Sequence, residues 1–201
     1  RAAYDEIVSA GAKRSQGVER VIAALLQAEI AAKHARSINY QMALAKLPLA
    51  KELADLDVHD SPINGELVGQ LATGAFLDTQ RNIVLIGGTG TGKSHIAIGI
   101  ARSCIRTGRK ARFFNVVDLV NKLEAEVKLG RQGRIADSLI RTDLVIMDEL
   151  GYLPFAQSGG QLLFHLISRL YERTSIICSI ASLTLRIIET GNDSWRFKNR
   201  A

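Results

Sequence analysis

Beyond residue 80, segments with two different patterns of apolar residues alternate along the chain. Short continuous apolar runs predict buried strands, and apolar residues that recur every three or four positions predict helices. The predicted strands are Ile83–Ile86, Ala111–Val117, Asp143–Met147 and Thr174–Ile180. The helices predicted between them run from the glycine-rich loop after Ile86 to Gly108, from Asp118 to Gly130 and from Gln161 to Arg173. Because strands alternate with helices, we expect an α/β fold in which helices cover both faces of a parallel sheet, a three-layer αβα arrangement.

The beginning of the chain is helical in pattern. From Val18 to Leu47 no Gly or Pro interrupts apolar residues at helical spacing, and Pro48 predicts the end of the run. One long helix or two stacked helices would satisfy this pattern. The predicted organisation is a small N-terminal helical domain with a linker over residues 1–60, followed by the α/β domain over residues 61–201.

Three further elements are predicted from shorter signals. Lys51–Asp60 is predicted to be the linker because four acidic residues interrupt it. Ser61-Pro62 favours the start of a helix that ends at Gly74, since Ser caps helices and Pro suits their first position. At the other end, Ile187–Thr190 and Ser194–Phe197 are predicted to form a hairpin around a Gly-Asn-Asp turn.

The loop after the first predicted strand carries a phosphate-binding motif. Its sequence, GGTGTGKS, fits G-x-x-x-x-G-K-[ST] at every required position. Glycines let successive backbone N–H groups point into one concavity, and the following helix directs its positive end to the same point. Lys93 is expected to reach the β- and γ-phosphates and Ser94 to hold Mg²⁺. The predicted nucleotide-binding residues are Gly87, Gly88, Thr89, Gly90, Thr91, Gly92, Lys93, Ser94 and His95.

Two carboxylates follow the third predicted strand in the manner of a Walker B motif. Asp148 and Glu149 are expected at the same edge of the sheet as the phosphate-binding loop, because parallel strands end together there. Asp148 is predicted to hold Mg²⁺ with Ser94, and Glu149 to orient the attacking water. With Lys93, these two residues are the predicted catalytic set. Since the implied nucleophile is water, ATP hydrolysis is favoured over transfer by a small-molecule kinase.

Charge adds a second candidate surface. The net charge is +6, and all of the excess lies in residues 61–201. Basic proteins often bind nucleic acid, because neutralised phosphates release counterions. The basic residues concerned are Arg102, Arg106, Arg109, Lys110, Arg112, Lys128, Arg131 and Arg134. They predict either a DNA-facing rim with phosphate contacts or a solvated helix end.

Cellular location is predicted from what the sequence contains. There is no apolar segment long enough to cross a bilayer and no signal-peptide pattern, and the two cysteines are far apart in sequence. Buried, reduced thiols at Cys104 and Cys178 are therefore expected, as in a cytoplasmic protein without a membrane partner. Because the chain begins with Arg1 instead of Met, a missing upstream segment is an open alternative.

Several stretches closely resemble the IstB-like proteins, which are transposition helper ATPases of bacterial insertion sequences. The resembling stretches are Gly87–Ala101, Arg112–Glu124, Asp143–Phe155 and Glu189–Arg200. Within them, ELGYLPF after the third strand is more specific than the phosphate-binding loop. The family is related to DnaC-type helicase loaders of the AAA+ class. The resemblance implies an AAA+ core that binds ATP with Mg²⁺, forms a homo-oligomer on double-stranded DNA without sequence preference, and assists a transposase.

The predicted site residues Lys93, Ser94, Asp148 and Glu149 carry over from this resemblance, but one segment departs from it. AAA+ proteins usually have a polar sensor residue after the fourth strand, and IstB-like proteins continue through a helical stretch with an arginine that acts on a neighbour's ATP. Here the chain is shortened after residue 180 and leads directly into the predicted hairpin. The candidates for these roles are the sensors Ser179 or Ser182 and the finger Arg186.

Two alternatives to an active transposition helper therefore remain open. One is a DnaC-like helicase loader, which shares the fold and differs in its partner. The other is a hydrolysis-defective, ATP-dependent DNA-binding scaffold, since loss of an arginine finger costs several powers of ten in rate.

Overall fold

The computed structural model describes residues 4–6, 9, 18–48, 51–56, 63–150, 157–182 and 186–190. Two compact units make up the chain, Arg1–Tyr40 and Gln41–Ala201. Helix α1 is one continuous helix, Val18–Ala45, so the alternative of two stacked helices is wrong. The predicted division at residue 60 stays a prediction.

Among its described residues, the second unit has five strands and five further helices. The strands are β1 (Asn82–Gly87), β2 (Ala111–Asn115), β3 (Leu144–Leu150), β4 (Ser175–Ala181) and β5 (Arg186–Thr190). The helices are α2 (Gly65–Ala72), α3 (Lys93–Arg106), α4 (Val116–Lys128), α5 (Arg134–Leu139) and α6 (Gln157–Leu170). Two short 3₁₀ turns complete the unit, Leu53–Asp55 and Ala75–Leu77. Along the described residues, no helix combines the length and apolarity needed to cross a bilayer.

The sheet has the order β2-β3-β4-β1-β5. The first four strands are parallel, and β5 pairs antiparallel with β1. The four strands predicted to form a parallel sheet are therefore parallel, and the sheet is mixed because β5, from the predicted terminal hairpin, adds an antiparallel edge. Helices cover the sheet, so the middle of each central strand is apolar, as in Val84–Ile86, Leu144–Met147 and Ile176–Cys178. This arrangement confirms the predicted α/β fold.

Each face of the sheet has its own packing. Val145, Met147 and Ile176 form a buried cluster with the apolar faces of α4, α5 and α6. Ile146 and Ile177, which alternate with these residues, point to the opposite face because side chains alternate along a strand. They are 1% and 0% exposed. Helix α3 contacts all four parallel strands and buries its apolar residues almost completely.

Several predicted boundaries are corrected by side-chain caps. Helix α2 begins at Gly65 instead of Ser61-Pro62, since Asn64 accepts a hydrogen bond of 3.1 Å from the N–H of Leu67. Helix α4 begins at Val116 because Asn115 accepts from the Val117 N–H at 2.9 Å. The predicted strand over 111–117 is shorter for this reason, and Asp118 lies in the first turn of the helix.

The structure describes the predicted linker and the predicted hairpin only in part. Residues 51–56 of the predicted linker pack on α3, whereas residues 57–60 lie outside the described residues. The first arm of the predicted hairpin is β5, whose partner is β1. The predicted turn and second arm, the ELGYLPF residues 151–155, and Ser61-Pro62 also lie outside the described part of the chain.

Candidate functional site

The phosphate-binding loop turns sharply between β1 and α3. Gly90 and Gly92 have φ angles of 79° and 84°, a left-handed conformation that residues with side chains rarely adopt. The carbonyl of Gly88 accepts hydrogen bonds from Thr91 Oγ1 at 2.8 Å and from Lys93 Nζ at 2.6 Å. The loop therefore brings the lysine ammonium and the N-terminus of α3 to the carboxyl end of β1.

A cavity of about 480 Å³ opens beside this loop. Its lining residues are Lys51, Leu56, Ile63, Gly90, Thr91, Gly92, Lys93, Ser94 and His95. Six of the nine predicted nucleotide-binding residues are thus brought together. The other three are outside the lining: Gly87 is the last residue of β1, and Gly88 and Thr89 begin the loop. The remaining lining residues precede α2 in the chain. The phosphate-binding motif does not predict their presence in the cavity.

Asp148 joins the phosphate-binding loop to the sheet. Its carboxylate is 7% exposed and lies at the carboxyl end of β3. Ser94 Oγ donates to Asp148 Oδ2 at 2.7 Å, and Ser179 Oγ donates to Oδ1. Both carboxylate oxygens are consequently held by hydroxyl groups, one from α3 and one from β4. The structure therefore brings together the two residues predicted to hold Mg²⁺.

Glu149 adopts an unusual backbone conformation next to Asp148. Its φ angle is 66°, which costs roughly 1–2 kcal/mol for a residue with a side chain. The pairing of β3 with β4 is irregular between Met147 and Leu150, and such bulges redirect side chains near active sites. The Glu149 N–H donates to Ser179 Oγ at 2.9 Å, and Asn115 Nδ2 donates to Glu149 Oε2 at 2.6 Å. These two contacts hold Glu149 with its side chain exposed.

Asn115 was missed by the sequence analysis. It ends β2 beside β3, in the same register position as Asp148. A polar residue directly after an apolar run was the available signal, the same signal that indicated Asp148. Its side chain both caps α4 and contacts Glu149.

The three residues proposed for the shortened segment occupy different positions. Ser179 is 2% exposed and contacts both carboxylate residues. The N–H of Ser182 donates to the Gly87 carbonyl at 3.0 Å, next to the start of the loop. Arg186 is exposed on β5, opposite Ile86 of β1. The sensor and finger roles themselves stay predictions.

Three of the eight basic residues of the predicted rim are engaged in ion pairs. Arg102 and Arg106 bind the carboxylate of Glu52 at 2.6 Å, and Arg109 binds Asp78. Lys110 is exposed and is a more accessible cation of the same run. The formal charge of this surface therefore overstates what is available to bind phosphates.

Both cysteines have free thiols. Cys104 is buried in α3 and Cys178 is partly buried in β4, and burial raises the pKa of each thiol to about 11. The expectation of reduced thiols therefore holds, with burial complete only for Cys104. Within the described ranges no group of three or more His, Cys, Asp or Glu side chains could hold a metal ion.

A larger cavity, of about 540 Å³, lies between α4, α5 and α6. Its lining combines apolar residues such as Leu123 and Leu166 with polar ones such as Glu126, and includes none of the predicted nucleotide-binding residues. Loop geometry and carboxylate placement, and not volume, identify the smaller cavity as the candidate nucleotide site.

Fold comparison defines the class of protein. The solved structure of the DnaC helicase loader matches 70% of this chain and 82% of its own, with a TM-score of 0.55 and 20% identity. Replication initiator DnaA bound to AMPPCP and single-stranded DNA matches 67% of this chain and 43% of its own, with a TM-score of 0.58 and 20% identity. At this identity the likeness shows the fold alone, which is that of AAA+ P-loop NTPases.

Sequence comparison then shows the family. The family described as IstB-like ATP binding protein matches residues 1–186, so the chain belongs to this family and the resemblance is confirmed. A candidate ATP-binding protein of insertion sequence IS5376 from Geobacillus stearothermophilus is 36% identical over 154 residues, 76% of this chain. The corresponding IS21 protein of Pseudomonas aeruginosa is 30% identical over 174 residues, 86% of this chain. The chain spans 61% and 66% of the lengths of these two relatives, less than two thirds of each.

Proposed function

We propose that this chain binds ATP with Mg²⁺ at the cavity beside the phosphate-binding loop, hydrolyses it, and uses the cycle to assist DNA transposition. The observation that carries the proposal is the 2.7 Å contact between Ser94 Oγ and Asp148 Oδ2. It joins the phosphate-binding loop to the carboxylate of β3, so that a nucleotide's phosphates and a cation can be held at one point. ATP itself follows from the family, which is described as ATP-binding.

The oxygen atoms of Ser94 and Asp148 fit Mg²⁺. This cation prefers oxygen ligands, keeps several waters and is commonly bound by one or two carboxylates together with substrate phosphates. One hydroxyl and one buried carboxylate meet this requirement. A cage of several acidic side chains is not needed for Mg²⁺. When bound, Mg²⁺ neutralises charge on the β- and γ-phosphates. Lys93 adds a further positive charge at the first residue of α3.

Glu149 is the proposed base that orients the attacking water. Its side chain is exposed, so water has access to it, and Asn115 restrains its carboxylate at 2.6 Å. Positioning of this kind contributes to catalysis because a general base must lie within hydrogen-bond reach of its proton. The contacts from Ser179 support Ser179 over Ser182 as the polar residue that organises the site.

DNA, a transposase and further copies of this chain are the proposed partners. The relatives belong to insertion sequences, and the chain carries a net charge of +6. Double-stranded DNA would be bound through its phosphates, without sequence preference. A cytoplasmic location agrees with the free thiols.

The proposed function is tested by ATP binding and steady-state hydrolysis with and without duplex DNA. Hydrolysis is expected to increase with DNA and to be lost in Lys93→Ala. In the measurements without DNA, Lys110→Ala is the matched control for removal of a lysine, because Lys110 is exposed and does not line the cavity. Absence of ATP binding, or hydrolysis that persists in Lys93→Ala, would contradict the proposal.

A hydrolysis-defective scaffold is the second candidate function. The observation in its favour is that β4 ends at Ala181 and β5 begins at Arg186, so only four residues separate the two strands at the point where the family resemblance implies a longer segment with an arginine finger. Tight ATP binding without turnover, with or without DNA, would support this candidate. A helicase loader would instead prefer single-stranded DNA and co-purify with a helicase.

A further inference from the structure

Lys51–Leu56, here called the strap, packs along helix α3. Its Glu52 carboxylate accepts hydrogen bonds from Arg102 Nε at 2.7 Å and from Arg106 Nη1 and Nη2 at 2.8 and 2.6 Å. A carboxylate that binds two guanidinium groups makes charge-assisted hydrogen bonds, which are stronger than neutral ones. The side chain of Glu52 is 32% exposed, so water screens this cluster only in part.

Two further contacts attach the backbone and the next side chain of the strap. His95 Nε2 donates to the Glu52 carbonyl at 2.6 Å. Leu53 lies over Gly99, where a Cβ atom would approach Leu53 Cδ2 to 2.5 Å. Only glycine leaves space for the leucine at this point. Because positions 95, 99, 102 and 106 follow helical spacing, a single face of α3 holds the strap.

The strap also forms a wall of the candidate nucleotide cavity. Lys51 and Leu56, its first and last residues, line the cavity together with the phosphate-binding loop. A Cβ atom on Gly92 would lie 3.4 Å from Leu56 Cδ1, so the leucine is in contact with the loop itself. The position of the strap along α3 therefore decides the shape of the cavity.

We propose that Glu52 is a positioning residue for the nucleotide site. By binding Arg102 and Arg106 it keeps the strap on α3, and so keeps Lys51 and Leu56 at the cavity wall. This role rests on the proposed binding of ATP in that cavity. Glu52 itself does not line the cavity and acts through Lys51 and Leu56. Its replacement is therefore expected to weaken ATP binding and to leave the rate of the chemical step unchanged.

The role is tested with Glu52→Gln, which keeps the size of the side chain and removes its charge, and with Gly99→Ala, which displaces Leu53 by a separate route. Displacement of the strap from α3 is expected to raise the Kd for a fluorescent ATP analogue about tenfold in each variant. The value of kcat at saturating ATP is expected to stay within about twofold of the unmodified chain. Trypsin cleavage after Lys51 is expected to become faster, and ATP to slow it.

Asp137→Asn is the matched control, because it removes a surface ion pair with Arg169 at 2.7 Å that lies outside the cavity. Its Kd is expected to equal that of the unmodified chain. An unchanged Kd in both Glu52→Gln and Gly99→Ala, or a fall in kcat with unchanged KM, would overturn the positioning role alone. Failure of the unmodified chain to bind ATP would overturn the proposed function, and the role of Glu52 with it.

Discussion

Ser179 contacts both acidic residues of the candidate site, Asp148 through its side chain and Glu149 through its backbone. Its hydroxyl donates to Asp148 Oδ1 and accepts from the Glu149 N–H at 2.9 Å. The second contact matters because Glu149 has a φ angle of 66° and needs surrounding interactions to hold it. The buried hydroxyl of Ser179 therefore connects β4 to Asp148, the proposed Mg²⁺ ligand, and to Glu149, the proposed base.

Replacement of Ser179 by Ala is expected to lower kcat. The change leaves an oxygen of Asp148 and the N–H of Glu149 without this partner, a cost of about 1–3 kcal/mol, and the same loss of transition-state stabilisation corresponds to roughly 5- to 150-fold in rate. The Kd for ATP is expected to change by less than about threefold, since Ser179 does not line the cavity. Steady-state kinetics with parallel ATP binding measure both quantities. Ser182→Ala is the control, and a larger loss in that variant would assign the role to Ser182.

At the scale of elements, Asn115 joins β2 to α4 and also reaches β3. Its Oδ1 accepts from the Val117 N–H, and its Nδ2 donates to Glu149. One side chain thus caps a helix and restrains the proposed base. These two contributions can be separated, because serine also caps helices but is too short to make both contacts.

Asn115→Ala is expected to lower the free energy of unfolding by about 1 kcal/mol, the usual cost of losing an N-cap. Asn115→Ser is expected to recover most of this loss. Both variants remove the contact with Glu149, so both are expected to lower kcat. Urea unfolding and ATP hydrolysis are the measurements. Equal stability of the Ala and Ser variants would show that the cap contributes little.

The thiols of α3 and β4 report on the packing of their elements. Burial raises the pKa of Cys104 and Cys178 from 9.0 to about 11. Because only the thiolate reacts, alkylation of the folded chain at pH 8 is expected to be about 100-fold slower than that of a thiol with the ordinary pKa. Mass spectrometry after iodoacetamide treatment, with and without denaturant, measures this difference. Rapid alkylation of Cys104 in the folded chain would contradict its burial in α3.

At the scale of the whole molecule, the ion pairs of Glu52 connect the strap to the core of the second unit. Hydrogen bonding by Arg106, the largest cause, lowers the pKa of Glu52 from 4.5 to about 2, and Arg102 adds to this effect. The carboxylate is therefore bound more tightly in its charged form. A group whose pKa is lowered by folding contributes stability above its unfolded pKa and loses it as the pH falls through its folded pKa.

Unfolding measured against pH is expected to show this contribution. The free energy of unfolding of the unmodified chain is expected to exceed that of Glu52→Gln by a constant amount between about pH 5 and 8. The difference is expected to shrink between pH 4.5 and about 2, the two pKa values of Glu52. Urea unfolding at a series of pH values gives the comparison, with Asp137→Asn as the control. A difference that disappears near neutral pH would exclude Glu52 as its source.

Features that depend on residues close together in the sequence were predictable from the sequence alone. Buried strands correspond to continuous apolar runs in the sequence. The phosphate-binding motif around Lys93 is complete within eight residues. The two carboxylates were placed at the same sheet edge because parallel strands end together, and the 2.7 Å contact from Ser94 to Asp148 agrees with this expectation. Helix boundaries were less accurate, since Asn64 and Asn115 cap helices at positions where other polar residues were equally good candidates.

The sequence by itself determined the alternation of strands and helices, the phosphate-binding loop and the acidic pair, because each follows from short-range periodicity or spacing. Only the tertiary structure decided the antiparallel position of β5, the contacts of Ser179 and the packing of the strap. These features join residues 30 to 108 positions apart, and their geometry follows from the order of strands and the path of the chain. In the predicted linker, Glu52 was one of four acidic residues with no distinguishing local signal. Folding places it beside two arginines of α3.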